Sequence, residues 1–254
     1  MAAIDNLTSL HKHEEELRAQ SLAEIQAKAD LSDHWTLIAE AMNAIYAFTH
    51  DHVHGSENEL TLQYLGIRLF NAAGASIKLA MSGYYQKAFD QLRDVIETYF
   101  LVDYLSTYPE KIAEWKAADK KKRIADFGPG KIRNALDARD GYSSGERKKI
   151  YDLISEYASH ASYPGITLTT RGPANMAQVG PFFDKNKLAM WLYEMALRVS
   201  HAAVILVSNP EGDDRPLLAT RQQYLAVVNK WYATYRNMTL QDGGSVHFNV
   251  SPSM

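Results

Sequence analysis

Apolar residues recur at helical spacing along most of the chain. Trp35, Ile38, Ala41, Met42, Ile45 and Phe48 form a stripe with a period of about 3.6 residues, which predicts an amphipathic helix. Asp33 in front of it can serve as N-cap, and Gly55, just past His50, His52 and His54, supplies the break. A third helix is expected over residues 57–81, where Gly66, Gly74 and the small residues Ala72, Ala73 and Ala75 suggest close approach to a neighbour. Gly83 separates it from a helix over 84–105. There Tyr85, Ala88, Phe89, Leu92, Val95, Ile96, Tyr99 and Val102 make the clearest amphipathic face in the sequence.

The flanking segments read in the same way. Residues 5–29 carry Leu7, Leu10, Leu17, Leu22 and Ile25 at loose helical spacing within a charged background, which fits a helix on the surface or against a partner chain. Pro109 opens a short helix through Trp115, and the basic run Lys120 to Arg123 leads to the turn Gly128-Pro129-Gly130. Helices follow over 130–139 and 144–160, the latter with Ile150, Leu153, Ile154 and Tyr157 on its apolar face. In 161–183 the pattern changes: Ile166 to Thr170 is β-branched and alternating, and Gly172-Pro173 makes a turn. Met176 to Val179 could pair back as a small hairpin. Two more long helices are expected over 184–208 and 214–237, joined by the break at Asn209-Pro210-Glu211-Gly212. The expectation is an all-α, multi-helix up-and-down bundle with a small irregular or β-hairpin insertion near 165–183. It would form one domain over 1–240, with a flexible polar tail over 241–254.

Composition narrows the function classes. The chain has 254 residues, 46% hydrophobic and 22% charged, a globular balance with enough length for a large core. A net charge of −3 gives no overall attraction to nucleic acid or anionic lipid, so such contacts would need a local patch. The absence of cysteine removes disulfides, thiol nucleophiles and thiolate metal sites, and fits a reducing compartment. The charged N-terminus does not read as a secretory signal, and the apolar run His201 to Val207 is too short to cross a bilayer. A soluble cytoplasmic protein with no membrane contact is expected. His201 itself, between Leu197 and Val204, reads as a core histidine.

Four groups of residues can carry chemistry. Arg93 and Glu97 stand one turn apart, in a stripe with Gln86, Asp90 and Tyr104 that borders the apolar face. Either they form an intrahelical ion pair worth ~0.2–0.5 kcal/mol, or they line a groove. There the arginine would bind phosphate or carboxylate, and a desolvated glutamate would act as base. His160 closes the segment from Ser155 with Glu156 four residues before it, which suits general acid–base work or a capping histidine. The alternation His50, His52, His54 could share a metal if extended, with His34 and Asp184 as further ligands, or it could be a solvated loop. We assign no metal and no cofactor. Finally, Lys116, Lys120, Lys121, Lys122, Arg123, Lys131 and Arg133 mark a basic path, with Arg139, Arg147, Lys148 and Lys149 beyond it. Trp115 and Phe127 interleave and could stack bases. The path is either a phosphate-binding surface or a solvated face.

One stretch resembles a known group. Leu92-Arg93-Asp94-Val95-Ile96-Glu97, Asp103-Tyr104-Leu105, Pro109 to Trp115, Phe127 to Ile132 and Leu153 to His160 share an order. That order is the pattern of a widespread group of bacterial helical proteins, with an Arg-Asp-x-x-Glu helix and a helix end Ser-Glu-x-x-x-His. The resemblance covers about a third of the chain. These proteins are in turn distantly similar to the HEPN superfamily, many of whose members are dimeric ribonucleases of defence and RNA-processing systems. The resemblance implies Arg93, Glu97 and His160 as a catalytic set and Lys121, Lys122, Arg123, Lys131 and Arg133 as RNA contacts. It also implies RNA as partner and a homo-oligomer, a dimer first. The HEPN signature places a histidine four to six residues after an arginine, and no arginine here has one; Arg93 meets Tyr99 instead. The alternatives are a non-catalytic homo-oligomeric scaffold, joined through the N-terminal segment and the Trp231, Tyr232, Tyr235 patch, and a metal-dependent hydrolase at 50–54.

Overall fold

A computed structural model describes residues 3–143, 145–160, 162–171, 176–208, 210–211 and 215–237. The chain is an all-α up-and-down bundle. Helix α1 (Ala3–Ala27) passes through one extended residue, Lys28, into α2 (Ala29–Tyr46), which widens into a π-turn at Ala47–Asp51. Helices α3 (Glu57–Met81) and α4 (Tyr85–Thr107) come next, then α5 (Lys111–Ala117), α6 (Lys120–Phe127) and α7 (Pro129–Arg139). Helix α8 (Glu146–Ile154) ends in a second π-turn, Ser155–Ser159. A 3-10 turn, Pro164–Thr169, precedes β1 (Thr170–Arg171) and β2 (Met176–Ala177), and α9 (Lys185–Ser208) and α10 (Arg215–Arg236) complete the described chain.

The core forms where α9 packs against α2 and α4, α3 lies along α4, and α10 covers α2. Small residues set the spacing. Ser76 on α3 donates to the Ala88 carbonyl of α4 at 2.8 Å and accepts from Trp191 Nε1 of α9 at 3.0 Å, so three helices meet at one hydroxyl. A Cβ on Gly66 would lie 2.5 Å from Thr49 Cγ2 and 3.3 Å from Leu206, which is the close approach expected there; Gly74 instead faces open space. Helix α9 alone among the described helices has the length and apolarity of a membrane span, and 78% of its most apolar window is buried inside the fold. Its central position accounts for its composition.

Five expectations change. Asp33 does not cap α2, which begins at Ala29; its carboxylate accepts from Tyr235 at 2.8 Å. The Lys120–Arg123 run is part of a helix, capped by Asp119, whose Oδ1 accepts from the Lys122 N–H at 2.7 Å. The hairpin shrinks to two residue pairs, Thr170 with Ala177 and Arg171 with Met176, because Ile166–Thr169 wind as a 3-10 turn. Threonine hydroxyls favour that winding: Thr167, Thr169 and Thr170 each donate to the carbonyl three residues back, at 2.7, 2.8 and 3.0 Å. Trp231 and Tyr232 are buried within this chain rather than offered to a partner, with Trp231 Nε1 donating to His34 Nδ1 at 2.9 Å. Leu153, placed on the apolar face of α8, is exposed. In α1, Leu17, Ser21 and Ile25 are buried against the bundle, while Leu7 is exposed. Gly172-Pro173 and the tail from Gln241 lie outside the described residues.

Candidate functional site

Helix α4 buries Leu92, Val95 and Ile96 and so holds Arg93 and Glu97 at the margin of that face, each roughly three-tenths exposed. Nε and Nη2 of Arg93 both donate to Glu97 Oε1, at 3.0 and 2.9 Å. The Tyr151 hydroxyl of α8 donates to the same oxygen at 2.7 Å, so one carboxylate oxygen takes three donors from two helices. Burial alone would pull the Arg93 guanidinium down; the Glu97 carboxylate bonded to it more than restores it, leaving it above the usual arginine value. Asp94, between them in sequence, turns to the other side, where Arg68 of α3 reaches both it and Thr98. The Arg-Asp-x-x-Glu pattern therefore ties α4 to α3 through one carboxylate and to α8 through the other.

Tyr151 joins a second cation to this group. The guanidinium of Arg133, on α7, lies over the Tyr151 ring at 4.0 Å from its centroid, while that of Arg93 is 5.3 Å from it. Arg133 is only 8% exposed, and its Nε and Nη1 have no hydrogen-bond partner. The nearest carboxylate on its own helix, Asp137, is held by Arg147 at 2.7 Å. Arg147 and Arg139 also share Asp140, and Arg139 bonds Asp103 at 2.6 and 3.0 Å. Burial would raise the Asp140 carboxyl, but the two guanidiniums bring it below the usual range. Arg139 and Arg147 thus belong to an internal network that fastens α4, α7 and α8 together. They are not part of a surface path.

The remaining cations divide clearly. Lys120, Lys121, Lys122, Arg123 and Lys131 are exposed, and no ion pair engages them among the described residues. Lys116 pairs with Glu57 at 3.3 Å, Lys149 with Glu146 at 2.9 Å, and Lys148 with Asp152. The aromatic residues expected to stack bases along the path do not line it: Phe127 is buried against Tyr104, and Trp115 is half-buried on the core.

His160 stands apart. It is exposed, and among the described residues no hydrogen bond or ion pair joins it to Arg93, Glu97 or Glu156. The cause is the π-turn: the His160 N–H reaches back five residues to the Ser155 carbonyl, at 2.9 Å. One extra residue in the turn rotates the downstream backbone by about 100°, which takes His160 off the face shared by Ile154 and Tyr157.

The same device disperses the other histidines. Ala47–Asp51 are π-helical rather than extended, and the His52 N–H bonds the Ala47 carbonyl at 2.9 Å. His52 is buried and meets Glu59 Oε1 at 2.9 Å, whereas His50 stacks on Tyr46 at the surface and His54 is exposed. Among the described residues no group of three or more potential ligands converges. Glu59 acts as a latch: it also accepts the N–H groups of Gly55 and Glu211, at 2.7 and 2.8 Å.

Sequence reasoning missed Tyr151 as the hub and Arg133 as a buried group. The second had a signal, since Arg133 falls beside Ile132 and Leu136 on the inner face of α7. No family model, no curated protein and no solved structure matches this chain.

Proposed function

We propose that this chain is a cytoplasmic, HEPN-like RNA-binding protein that holds single-stranded RNA by its phosphates along α6 and the first turn of α7. One observation carries the reading. Lys120, Lys121, Lys122, Arg123 and Lys131 are exposed and in no ion pair among the described residues, while Lys111, Lys116, Lys148 and Lys149 are paired. Helix α6 carries four cations against Asp126 and the capping Asp119, and a polyanion relieves the excess positive charge. Because Phe127 is buried, the contacts fall on the backbone and not on base faces, and binding is tolerant of sequence. Binding is favoured over cleavage because His160 lies exposed and unbonded to the Arg93–Glu97 pair.

Fluorescence anisotropy with a labelled single-stranded RNA tests this. Lys121→Glu, Lys122→Glu and Arg123→Glu combined should weaken binding on the order of a hundredfold at low salt. Lys148→Glu with Lys149→Glu should change it little. Equal losses in both variants, or none in the first, would overturn the reading. A second reading, a homodimer, is supported by Tyr64 and Ile67 of α3, 62% and 42% exposed on adjoining turns, and by Tyr46, 44% exposed, whose ring lies 6.0 Å from that of Phe70 on the same helix as Tyr64 and Ile67. Light scattering that finds a strict monomer at high concentration would exclude it.

A further inference from the structure

Arg133 is an arginine that the fold desolvates without giving it a carboxylate. Its Nε and Nη1 are sealed from solvent and unpartnered, and it is 8% exposed overall. The edge that remains approachable is Nη2. A Cβ added at Gly130 would lie 3.9 Å from Nη2 and, its chain neighbours and its own helix backbone aside, within 4 Å of no other atom, so the space over Gly130 opens onto that nitrogen. Gly130 stands in the first turn of α7, an 11-residue helix with Pro129 at its start. The N–H groups of Lys131 and Ile132 turn back to the Gly128 carbonyl, at 2.8 and 3.2 Å, and Pro129 has none to offer. The Gly130 N–H remains as the donor of that turn which no acceptor faces among the described residues. Lys131, exposed and in no ion pair among the described residues, follows Gly130 in the same turn of α7.

We infer that Arg133 Nη2, the Gly130 N–H and Lys131 form a binding site for a phosphate monoester. The argument for phosphate is charge and shape. Arg93 is already neutralised by Glu97, so on α7 the cations without an ion pair among the described residues are Arg133 and Lys131; a phosphate dianion balances both, and a single carboxylate balances one. The positive end of the α7 dipole adds to the same preference. A guanidinium this enclosed can be met only by a protruding group. An internal phosphodiester, flanked by sugars on both sides, does not fit that approach, whereas a terminal phosphate does. The inference rests on the RNA-binding reading only for the source of the phosphate: the end of an RNA strand, or a free phosphate or nucleotide.

The test is thermal unfolding of the full chain in inorganic phosphate against chloride at matched ionic strength. At phosphate about ten times its dissociation constant, the wild-type melting temperature should rise by roughly 3–5 °C more than that of Arg133→Gln. Non-specific salting-out acts on both and cancels in the difference. A second variant guards against misfolding. Gly130→Asp places a carboxylate beside Nη2 with no backbone clash, and should melt higher than wild type while losing the phosphate response. Equal phosphate shifts in wild type and both variants would overturn the inference. The source is then read by anisotropy with one RNA sequence bearing a 5′-phosphate, a 3′-phosphate or hydroxyl ends. Tighter binding of one phosphorylated form, lost in Arg133→Gln, assigns the site to an RNA end. Equal binding of all three, with the Arg133-dependent phosphate shift intact, assigns it to a free phosphate monoester. Failure of every RNA to bind, with that shift intact, would remove the RNA reading and leave the site.

Discussion

Replacing Arg133 by methionine should leave the fold as stable as before or stabilise it, although the side chain is buried. Two terms oppose each other. The cation lying 4.0 Å from the Tyr151 centroid contributes about 2 kcal/mol in a desolvated setting. Against it stand Nε and Nη1, buried without acceptors, each of which costs about 1–3 kcal/mol relative to hydration. Methionine keeps the length and apolar stem, brings its sulfur to the tyrosine ring, and carries no donors. The net expectation runs from no change to a gain of about 4 kcal/mol. Arg147→Met is the internal control. It strands Asp137, whose side chain is 7% exposed, leaves the 1%-exposed Asp140 to Arg139 alone, and should cost about 3–5 kcal/mol. Urea unfolding followed by far-UV circular dichroism measures both, with a constant m-value confirming that the same transition is observed. If Arg133→Met loses as much as Arg147→Met, then Arg133 is a structural group with a partner, and the argument for a ligand at Arg133 fails.

Three further outcomes are expected from the geometry. Glu59→Gln turns an amide NH2 toward one of the N–H groups of Gly55 and Glu211 that the carboxylate now accepts, and should lower stability by about 2–3 kcal/mol in the same urea assay. Gly66→Ala forces a methyl to within 2.5 Å of Thr49 Cγ2 and should cost about 1–3 kcal/mol; an unchanged midpoint would show that the α2–α3 contact is loose. The pH dependence comes from His34 and His201. Burial pushes both rings below their usual 6.5, and the cations Arg198, Arg147 and Arg236 push His201 further. Below that unfolded value the unfolded chain takes up protons that the fold refuses. Stability is therefore full above about pH 6.5 and falls with acidification by up to about 1.4 kcal/mol per pH unit for each ring. Replacing His34 with glutamine, which keeps an acceptor for Trp231, should reduce that slope, and a flat profile from pH 7 to 5 would contradict the assignment.

Where a helix carries a complete apolar stripe between clear breaks, the sequence locates it. Helix α3 is expected over 57–81 and observed at Glu57–Met81, because Gly55 and Gly83 bracket it and Ser56 accepts from the Glu59 N–H at 3.2 Å. Helix α6 escapes such a reading because only Ile124, Ala125 and Phe127 among its residues are apolar, so no periodicity marks it; the Asp119 cap is its one local signal. The π-turns are harder still. Each inserts a residue that neither composition nor spacing reveals, and each moves a histidine (His50 and His160) away from where a regular helix would hold it. In the candidate site, the Arg93–Glu97 pair is legible from i,i+4 spacing. Tyr151, 54 residues from Glu97, is not, since only the packing of α8 on α4 brings the two together. Arg133 reads as one of the surface cations, although its neighbours Ile132 and Leu136 mark the buried side of α7.

The most direct test of the central claim is the salt dependence of RNA binding. If Lys120, Lys121, Lys122, Arg123 and Lys131 each engage a phosphate, log K against log salt for a single-stranded RNA should have a slope of about −3 to −3.5. The Lys121→Glu, Lys122→Glu, Arg123→Glu variant should bring it to about −1.5 or shallower. A slope near zero for the wild type, or the same slope in both proteins, would contradict the assignment of this surface to the RNA backbone.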